Sequence, residues 1–260
     1  MGEKEYSMMD VASSVCTILN LPSPAQTEGN PIAEIVSSLD GLRKVAILVP
    51  DGMGLFTWDL WRHKMPYLDS LHTNRSLILR SVMPSISPVN FATIVSGTDV
   101  EGHGILIRTG KFKCETLFDL VRNASRKSAG IGQDSYTGCE LMGKNADICG
   151  CTREGSNYDI AAKIIEIVDV YEPDFLIAQF IQVDDSFHKC GPSSPSVVPI
   201  LADMDTRMKE LVEYLRPLGY GIIILSDHGQ HDLPVISPKG NKGGHGTDSP
   251  EDCLVPCTWI

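Results

Sequence analysis

Three strongly apolar segments of this chain end in an aspartate. The residues that follow them are Asp51, Asp184 and Asp227. Short runs rich in Ile and Val, separated by stretches with helical spacing, are typical of parallel strands buried on both faces. Ligands of open α/β sheets bind at the carboxyl ends of such strands. Three carboxylates at that one edge would repel each other, so the pattern predicts that cations hold them together.

Histidines lie beside two of these aspartates. His188 follows Asp184 by four residues, and His228 follows Asp227 directly. Imidazole nitrogens together with carboxylate oxygens suit zinc, with manganese as the alternative. The sequence therefore predicts a metal-dependent enzyme.

The order of elements predicts the fold. We expect an α/β three-layer sandwich, in which helices flank a mostly parallel central sheet, built as a single domain over residues 1–260. The Gly- and Cys-bearing segment 133–155 is expected to be irregular, as a minimal cap or flap. Strands are predicted at 44–50, 76–82, 128–131, 174–183, 220–226 and 254–260.

Charge and hydropathy restrict the partners. The net charge of −11, from 22 basic and 33 acidic residues, argues against duplex nucleic acid and anionic membranes, because both are polyanions. No apolar run approaches the roughly 18 residues that a membrane span needs. A phosphorylated small molecule remains an acceptable partner, because bound metal ions can reverse the local field. The oligomeric state is not determined by the sequence.

The eight cysteines are scattered and contain no CxxC pair. The acidic N-terminus, residues 1–5, does not resemble a signal peptide. We therefore expect reduced, mostly buried thiols in a cytoplasmic protein. A zinc site at Cys149 and Cys151 is disfavoured, because no second pair lies nearby.

Ser87 is followed by Pro88 where a predicted strand meets a predicted helix. One interpretation is a helix N-cap, as in most Ser-Pro helix starts. The alternative is a nucleophile, because the N-terminus of a helix suits a phosphoryl group and a metal can help remove the serine proton. From this segment alone, the cap interpretation is favoured.

Four motifs in order resemble the alkaline phosphatase superfamily, and most closely its nucleotide pyrophosphatase/phosphodiesterase branch. The resemblance begins near Lys44 and runs to the C-terminus. Asp51-Gly52 ends the first strand of the resemblance. The four motifs that follow are the segment 84–97 continuing into His103-Gly104-Ile105, Asp184-Asp185-Ser186-Phe187-His188 with Gly191-Pro192, Ser226-Asp227-His228-Gly229, and Gly244-His245-Gly246.

The resemblance implies a site with two divalent metal ions. One ion would be bound by Asp184, His188 and His245. The other would be bound by Asp51, Asp227 and His228, with Ser87 as a further ligand and as the nucleophile that forms a covalent phosphoseryl intermediate. Asn90 would donate a hydrogen bond to a phosphoryl oxygen. The implied activity is hydrolysis of a phosphodiester or a nucleotide pyrophosphate bond.

Departures from the family pattern leave alternatives open. The family's usual threonine nucleophile and the proline before the asparagine are Ser87 and Val89 here. A phosphomonoesterase, a phosphonate hydrolase and a phosphomutase of the same superfamily remain alternatives, and a non-enzymatic phosphate- or metal-binding module is the least favoured. Ser85 is a competing nucleophile and Asp185 a competing ligand. His103 is expected to support the nucleophile helix, and His231 is an open candidate for an outer contact of the site.

Overall fold

The computed structural model describes residues 5–260 of the chain. The sequence before Glu5, on which the expectation of no signal peptide partly depends, lies outside this range. The strands are β1 (Glu5–Ser7), β2 (Lys44–Pro50), β3 (Ser76–Arg80), β4 (Ser128–Gln133), β5 (Ile148–Thr152), β6 (Phe175–Phe180), β7 (Tyr220–Leu225), β8 (His231–Asp232), β9 (Gly243–Gly244) and β10 (Leu254–Trp259). The α-helices are α1 (Asp10–Leu19), α2 (Ala33–Ser38), α3 (Leu55–Trp61), α4 (Pro66–Asn74), α5 (Ser87–Ser96), α6 (Val100–His103), α7 (Leu117–Asn123), α8 (Asn157–Tyr171), α9 (Gln182–Cys190), α10 (Val198–Leu215) and α11 (Pro250–Cys253).

Eight of the strands form one central sheet, in the order β1-β3-β10-β7-β2-β6-β4-β5. Strand β2 lies at its middle and pairs in parallel with β6 and with β7. Among the strands of residues 5–260, β10 alone runs antiparallel to both neighbours in this sheet. A short ribbon of β8 and β9 stands apart from it. The predicted three-layer, mostly parallel α/β fold is confirmed.

Alternating residues of the central strands enter two separate hydrophobic cores. In β2, Val45 and Ile47 face helices α1, α2, α5 and α7, whereas Ala46 and Leu48 face α4, α8 and α10. This two-residue alternation is the geometry of an extended strand. Because both faces are covered, the strand is apolar at every position, which explains why the sequence shows a continuous apolar run.

The expectation that segment 133–155 is irregular was wrong. It contains a π-helix, Gly138–Gly143, and strand β5, which pairs in parallel with β4 at the edge of the sheet. A methyl group on Gly130 would lie 2.3 Å from the carbonyl carbon of Met142, so glycine allows the π-helix to pack directly on β4. Glycines in this segment therefore mark close packing, where the sequence was interpreted as a loop.

The expectation of reduced thiols was also wrong for two cysteines. Cys139 of the π-helix and Cys151 of β5 form a disulfide, although Cys16, Cys114, Cys149, Cys190, Cys253 and Cys257 are free. The partners are 12 residues apart and become neighbours only because β5 joins the sheet. The compartment of the protein stays a prediction.

The strand predicted at 174–183 is too long. Strand β6 ends at Phe180, and helix α9 begins at Gln182, so Asp184 lies in the first turn of a helix. None of the helices in the described part of the chain is long and apolar enough to cross a membrane.

Candidate active site

Two aspartates at the carboxyl ends of neighbouring strands form the centre of the site. Asp51 follows β2 and Asp227 follows β7, and both are fully buried. Nε2 of His228 lies 3.4 Å from Oδ1 of Asp51 and 3.5 Å from Oδ2 of Asp227. The backbone N–H of Gly52 donates to Oδ1 of Asp227 at 3.3 Å. The sheet edge thus brings together these three side chains, which the family resemblance assigned to one ion.

Ser87 lies beside this group, at the start of α5. Its Oγ is 3.2 Å from Nε2 of His228 and 3.4 Å from Oδ1 of Asp51. Helix α5 begins at Ser87, and its N-cap residue is Ile86, so within residues 5–260 no side chain caps this helix. The interpretation of Ser87 as an N-cap was therefore wrong: its hydroxyl is directed to the acidic group and not to the helix backbone.

The second predicted ligand set also converges. Asp184 and His188 are four residues apart on α9, which places them on one face of the helix, and Nε2 of His188 is 3.4 Å from Oδ2 of Asp184. Nε2 of His245 is 3.8 Å from Oδ1 of the same carboxylate. The ring of His245 stacks on His228 at 3.9 Å and lies 5.0 Å from His188. The two sets therefore form one continuous cluster.

Backbone contacts select the tautomer of all three histidines. Nδ1 of His188 lies 3.0 Å from the carbonyl oxygen of Gly243, that of His228 lies 3.1 Å from that of Gly229, and that of His245 lies 2.9 Å from that of Ser85. A carbonyl oxygen only accepts, so Nδ1 must be the donor in each case. In the neutral ring each Nε2 then carries a lone pair, which is the arrangement of imidazole ligands of a metal.

Two buried glutamines hold the carboxylates, and the sequence analysis did not identify them. Nε2 of Gln179, on β6, donates to Oδ2 of Asp51, and Nε2 of Gln230 donates to Oδ1 of Asp184. Both glutamines are almost wholly buried. The available signal was Gln179 itself, because it is a polar residue inside a strand that is otherwise apolar on both faces.

Burial and mutual repulsion control the ionisation of the central group. Burial, followed by the charges of Asp227 and Asp184, raises the pKa of Asp51 well above its ordinary value. Burial, together with Asp184, raises the pKa of Asp227 to about 7. Burial and the neighbouring His245 lower the pKa of His228 well below its ordinary value. The protein alone thus disfavours the charged carboxylates at this position.

These residues fit divalent metal ions. Asp227 Oδ2 is buried and has no hydrogen-bond partner among the described residues. Ligand atoms of Asp51, Asp227 and His228 lie within 4.8 Å of one another, and so do those of Asp184, His228 and His245. Cations would relieve the repulsion between the carboxylates and would satisfy the unpaired oxygen. The number and identity of the ions stay predictions.

The structure places Asn90 differently from the sequence-based expectation. Its side chain is fully buried; Oδ1 accepts from the N–H of Val82 at 2.7 Å, and Nδ2 donates to the carbonyl oxygens of Val82 and Ile86 at 3.1 and 3.4 Å. The amide therefore joins the segment before Ser87 to helix α5. This use of both ends of the amide does not support a direct contact with a phosphoryl group.

Other candidates are now separated by their contacts. Ser85 is buried and donates to the carbonyl of Thr247 at 2.7 Å, away from the carboxylates. Asp185 is exposed, and the hydroxyl of Tyr136 lies 3.4 Å from each of its carboxylate oxygens. Ser87 and Asp184 remain the preferred nucleophile and ligand.

Two further histidines lie around the site. Nε2 of His103 lies 3.3 Å from the hydroxyl of Thr93 on α5, which confirms the expected contact of His103 with the helix that begins at Ser87. Nδ1 of His231 is 2.8 Å from the buried carboxylate of Asp252. Asp252 also accepts from the backbone N–H and the hydroxyl of Thr247, so His231 belongs to the wall of the loop that carries His245.

Comparison with known proteins shows similarity to one family of enzymes. The sequence model of the type I phosphodiesterase/nucleotide pyrophosphatase family matches residues 143–241. Venom phosphodiesterase 2 of Crotalus adamanteus is 24% identical over 89% of this chain and 30% of its own length. An uncharacterised pyrophosphatase/phosphodiesterase of Schizosaccharomyces pombe is 29% identical over 75% of this chain and 44% of its own. The chain thus spans less than half the length of either relative.

A solved structure shares the fold. Murine ectonucleotide pyrophosphatase/phosphodiesterase 5 superposes with a TM-score of 0.65 at 16% identity, over 82% of this chain and 87% of that one. A structure of an inactive threonine-to-alanine variant of that protein in complex with AMP superposes with a TM-score of 0.64. What the two proteins share is the α/β fold with a mostly parallel central sheet between layers of helices. Part of the sequence is thus similar to the type I phosphodiesterase/nucleotide pyrophosphatase family, and the chain shares its fold with the murine protein.

Proposed function

We propose that the chain hydrolyses phosphodiester or nucleotide pyrophosphate bonds through a covalent intermediate on Ser87. The observation that carries this proposal is the position of Ser87 Oγ, within 3.4 Å of both Asp51 and His228 at the start of a helix. The relatives are named for phosphodiesterase and pyrophosphatase activity, and the inactive variant of the murine protein was obtained by removing a threonine hydroxyl and was bound to AMP.

The residues of the chain divide the chemistry between them. Ser87 Oγ attacks phosphorus, the P–O bond to the leaving group breaks, and water later releases the phosphoryl group from the serine. The N-terminus of α5 places the positive end of a ten-residue helix beside the phosphoryl oxygens. Asp51, Asp227 and His228 would hold one divalent ion, and Asp184, His188 and His245 a second. Such ions supply Lewis-acid activation of hydroxyl and water and neutralise phosphate charge.

The substrate class is a nucleotide or another small phosphodiester. Zinc is the preferred ion for the mixed imidazole and carboxylate ligands, with manganese as the alternative. A small, charged substrate agrees with a site that lies at the sheet edge and combines buried carboxylates with histidines.

A substrate panel tests this proposal. The protein, loaded with zinc or manganese, is assayed with bis-p-nitrophenyl phosphate, p-nitrophenyl phosphate and a phosphonate monoester. We expect kcat/KM to be highest for the diester. A higher value for the monoester would make the protein a phosphomonoesterase, and a higher value for the phosphonate would make it a phosphonate hydrolase. Absence of turnover with every substrate and both metals would overturn the enzymatic proposal.

A further inference from the structure

Three cysteines meet at the edge of the sheet, outside the candidate active site. Cys139 of the π-helix is bonded to Cys151 of β5, and Sγ of the free Cys149 lies 3.3 Å from Sγ of Cys151. All three sulfur atoms lie within 4.8 Å of one another. A third sulfur is thus in contact with an existing disulfide.

The position of the cluster makes it accessible. Cys149 and Cys151 are two residues apart on β5, so their side chains project from the same face of the strand. Strand β5 is the last strand of the sheet, and both residues are exposed. Cys139, in contrast, is buried. A small thiol in solution can therefore reach one end of the disulfide and the free thiol, while the other end is covered.

We infer that Cys139, Cys149 and Cys151 form a thiol–disulfide exchange site that responds to low-molecular-weight thiols and disulfides. The thiolate of Cys149 attacks Sγ of Cys151. A Cys149–Cys151 bond forms, the Cys139–Cys151 bond breaks, and Cys139 leaves as a thiolate that takes up the proton lost by Cys149. This rearrangement involves no net oxidation.

Small molecules enter by the same chemistry. The thiolate of a small thiol attacks Cys151, which gives a mixed disulfide and releases Cys139; a second thiol then displaces the first as a disulfide, so two thiols supply the two electrons that reduce the protein. Burial raises the pKa of the Cys149 thiol, although Lys144 opposes this effect. Exchange through Cys149 therefore becomes faster as the pH rises above neutrality.

The cluster is connected to the carboxylate group. Gly138, next to Cys139, donates its N–H to Oε1 of Gln179 at 2.5 Å, and the same glutamine donates to Asp51. A methyl group on Gly138 would lie 2.7 Å from Cβ of Gln179 and 2.5 Å from the carbonyl oxygen of Ile131. Because the start of the π-helix packs against Gln179 without spare room, a displacement of Cys139 also displaces Gln179, which orients Asp51. This consequence rests on the proposed function, because it takes Asp51 as a metal ligand.

Disulfide mapping tests the exchange itself. The full-length protein is incubated at pH 7 to 9, with and without glutathione, quenched in acid, alkylated and mapped by mass spectrometry. We expect a fraction of the molecules to carry a Cys149–Cys151 disulfide and an alkylated Cys139. This rearranged form should appear faster at higher pH. With glutathione, a mixed disulfide on Cys151 is expected. In Cys149→Ser, Cys139 should stay protected without glutathione, whereas Cys190→Ser, a free cysteine outside the cluster, should behave as wild type.

One result would overturn the exchange site. If only the Cys139–Cys151 disulfide is recovered at every pH, and Cys149 is alkylated throughout, the three sulfurs do not exchange.

Manganese affinity tests the connection to Asp51. Mn²⁺ is chosen because thiolates released by reduction compete poorly for a hard ion. The dissociation constant is measured by calorimetry for the disulfide form, for the reduced form and for Cys139→Ala/Cys151→Ala. We expect the last two to bind about 10-fold more weakly. Equal affinities, with exchange observed, would overturn the connection alone. If even the disulfide form binds no metal, the proposed function fails, while the exchange result stands independently.

Discussion

Ser87 Oγ lies 3.2 Å from Nε2 of His228, on an imidazole whose Nδ1 donates to the carbonyl of Gly229. Because Nδ1 carries the proton, Nε2 faces the serine with its lone pair. The serine hydroxyl is therefore oriented by the same residues that would bind one metal ion. This relationship joins two motifs that are 141 residues apart in the chain.

Removal of the serine hydroxyl should abolish turnover without unfolding the protein. In Ser87→Ala we expect kcat/KM for the best diester to fall by about 10³-fold or more, with an unchanged circular dichroism spectrum. Ser87→Thr, which keeps a hydroxyl, should retain measurable activity. Ser85→Ala is the matched control and should stay within a few-fold of wild type, because Ser85 bonds the carbonyl of Thr247. Equal rates for Ser87→Ala and wild type would contradict the covalent route.

Metal addition should stabilise the protein through Asp227. Without metal, Asp227→Asn should be more stable than wild type, because the buried carboxylate lies near other acids and its pKa is raised. With zinc or manganese at about 100 times the dissociation constant, wild type should gain about 2.7 kcal/mol, and Asp227→Asn much less. Thermal unfolding with and without chelator measures both effects. Asp169→Asn, a carboxylate that pairs with Tyr214 far from the site, should respond to metal as wild type does.

Loss of the Gln230 amide should weaken metal binding more than it weakens the fold. Gln230→Leu preserves the approximate side-chain volume but removes the donor to Asp184. We expect the metal dissociation constant to rise about 10- to 100-fold, measured by calorimetry. Gln133→Leu removes an amide that donates to the carbonyl of Arg153 near the surface, and it is the matched control. An unchanged affinity in Gln230→Leu would show that Asp184 is held without the amide.

His72 should make the protein sensitive to acid. Burial, followed by the charge of Arg62, lowers the pKa of His72 to about 4 from an ordinary value of 6.5. Its ring lies 4.2 Å from that of Trp58, tilted by 36°. Between these pH values the unfolded chain binds more protons at this residue than the folded chain. The stability that the neutral His72 contributes is therefore fully present above pH 6.5. It is lost as the pH falls towards 4, so the free energy of unfolding decreases over this range.

A variant isolates this contribution. In His72→Phe, which keeps a ring against Trp58 but does not titrate, we expect the loss of stability between pH 6.5 and 4.5 to be about 2 kcal/mol smaller than in wild type. Urea unfolding across this pH range measures the difference. His63→Asn, at an exposed position, should follow the wild-type curve. Identical curves for His72→Phe and wild type would show that folding leaves the pKa of His72 at its ordinary value.

Asn90 should act on stability and not on substrate binding. Asn90→Ala leaves the partly buried N–H of Val82 without its acceptor, which should cost about 1 kcal/mol. At a temperature where the variant is folded, KM for the diester should change little. A large rise in KM with unchanged stability would instead restore the direct phosphoryl contact that the sequence analysis predicted.

The sequence by itself determined the sheet, the order of the motifs and the convergence of the site. Strands such as β2 and β7 are visible because burial on both faces requires apolar residues at every position. Asp51 follows β2 directly, and Asp227 is the second residue after β7. The repulsion expected between such carboxylates is present in the folded protein, where burial and neighbouring acids raise their pKa values.

Only the tertiary structure decided the remaining features, because they depend on contacts between distant segments. Asp184 lies on a helix, since β6 ends earlier than its apolar run suggests. Asn90 is occupied by the backbone of Val82, and Gln179 is recognisable as a support of Asp51 only after β2 and β6 pair. The disulfide between Cys139 and Cys151 requires β5 to join the sheet. A local sequence pattern predicts whether a residue is buried. The partner of a buried polar group or of a thiol depends on the packing of the whole chain.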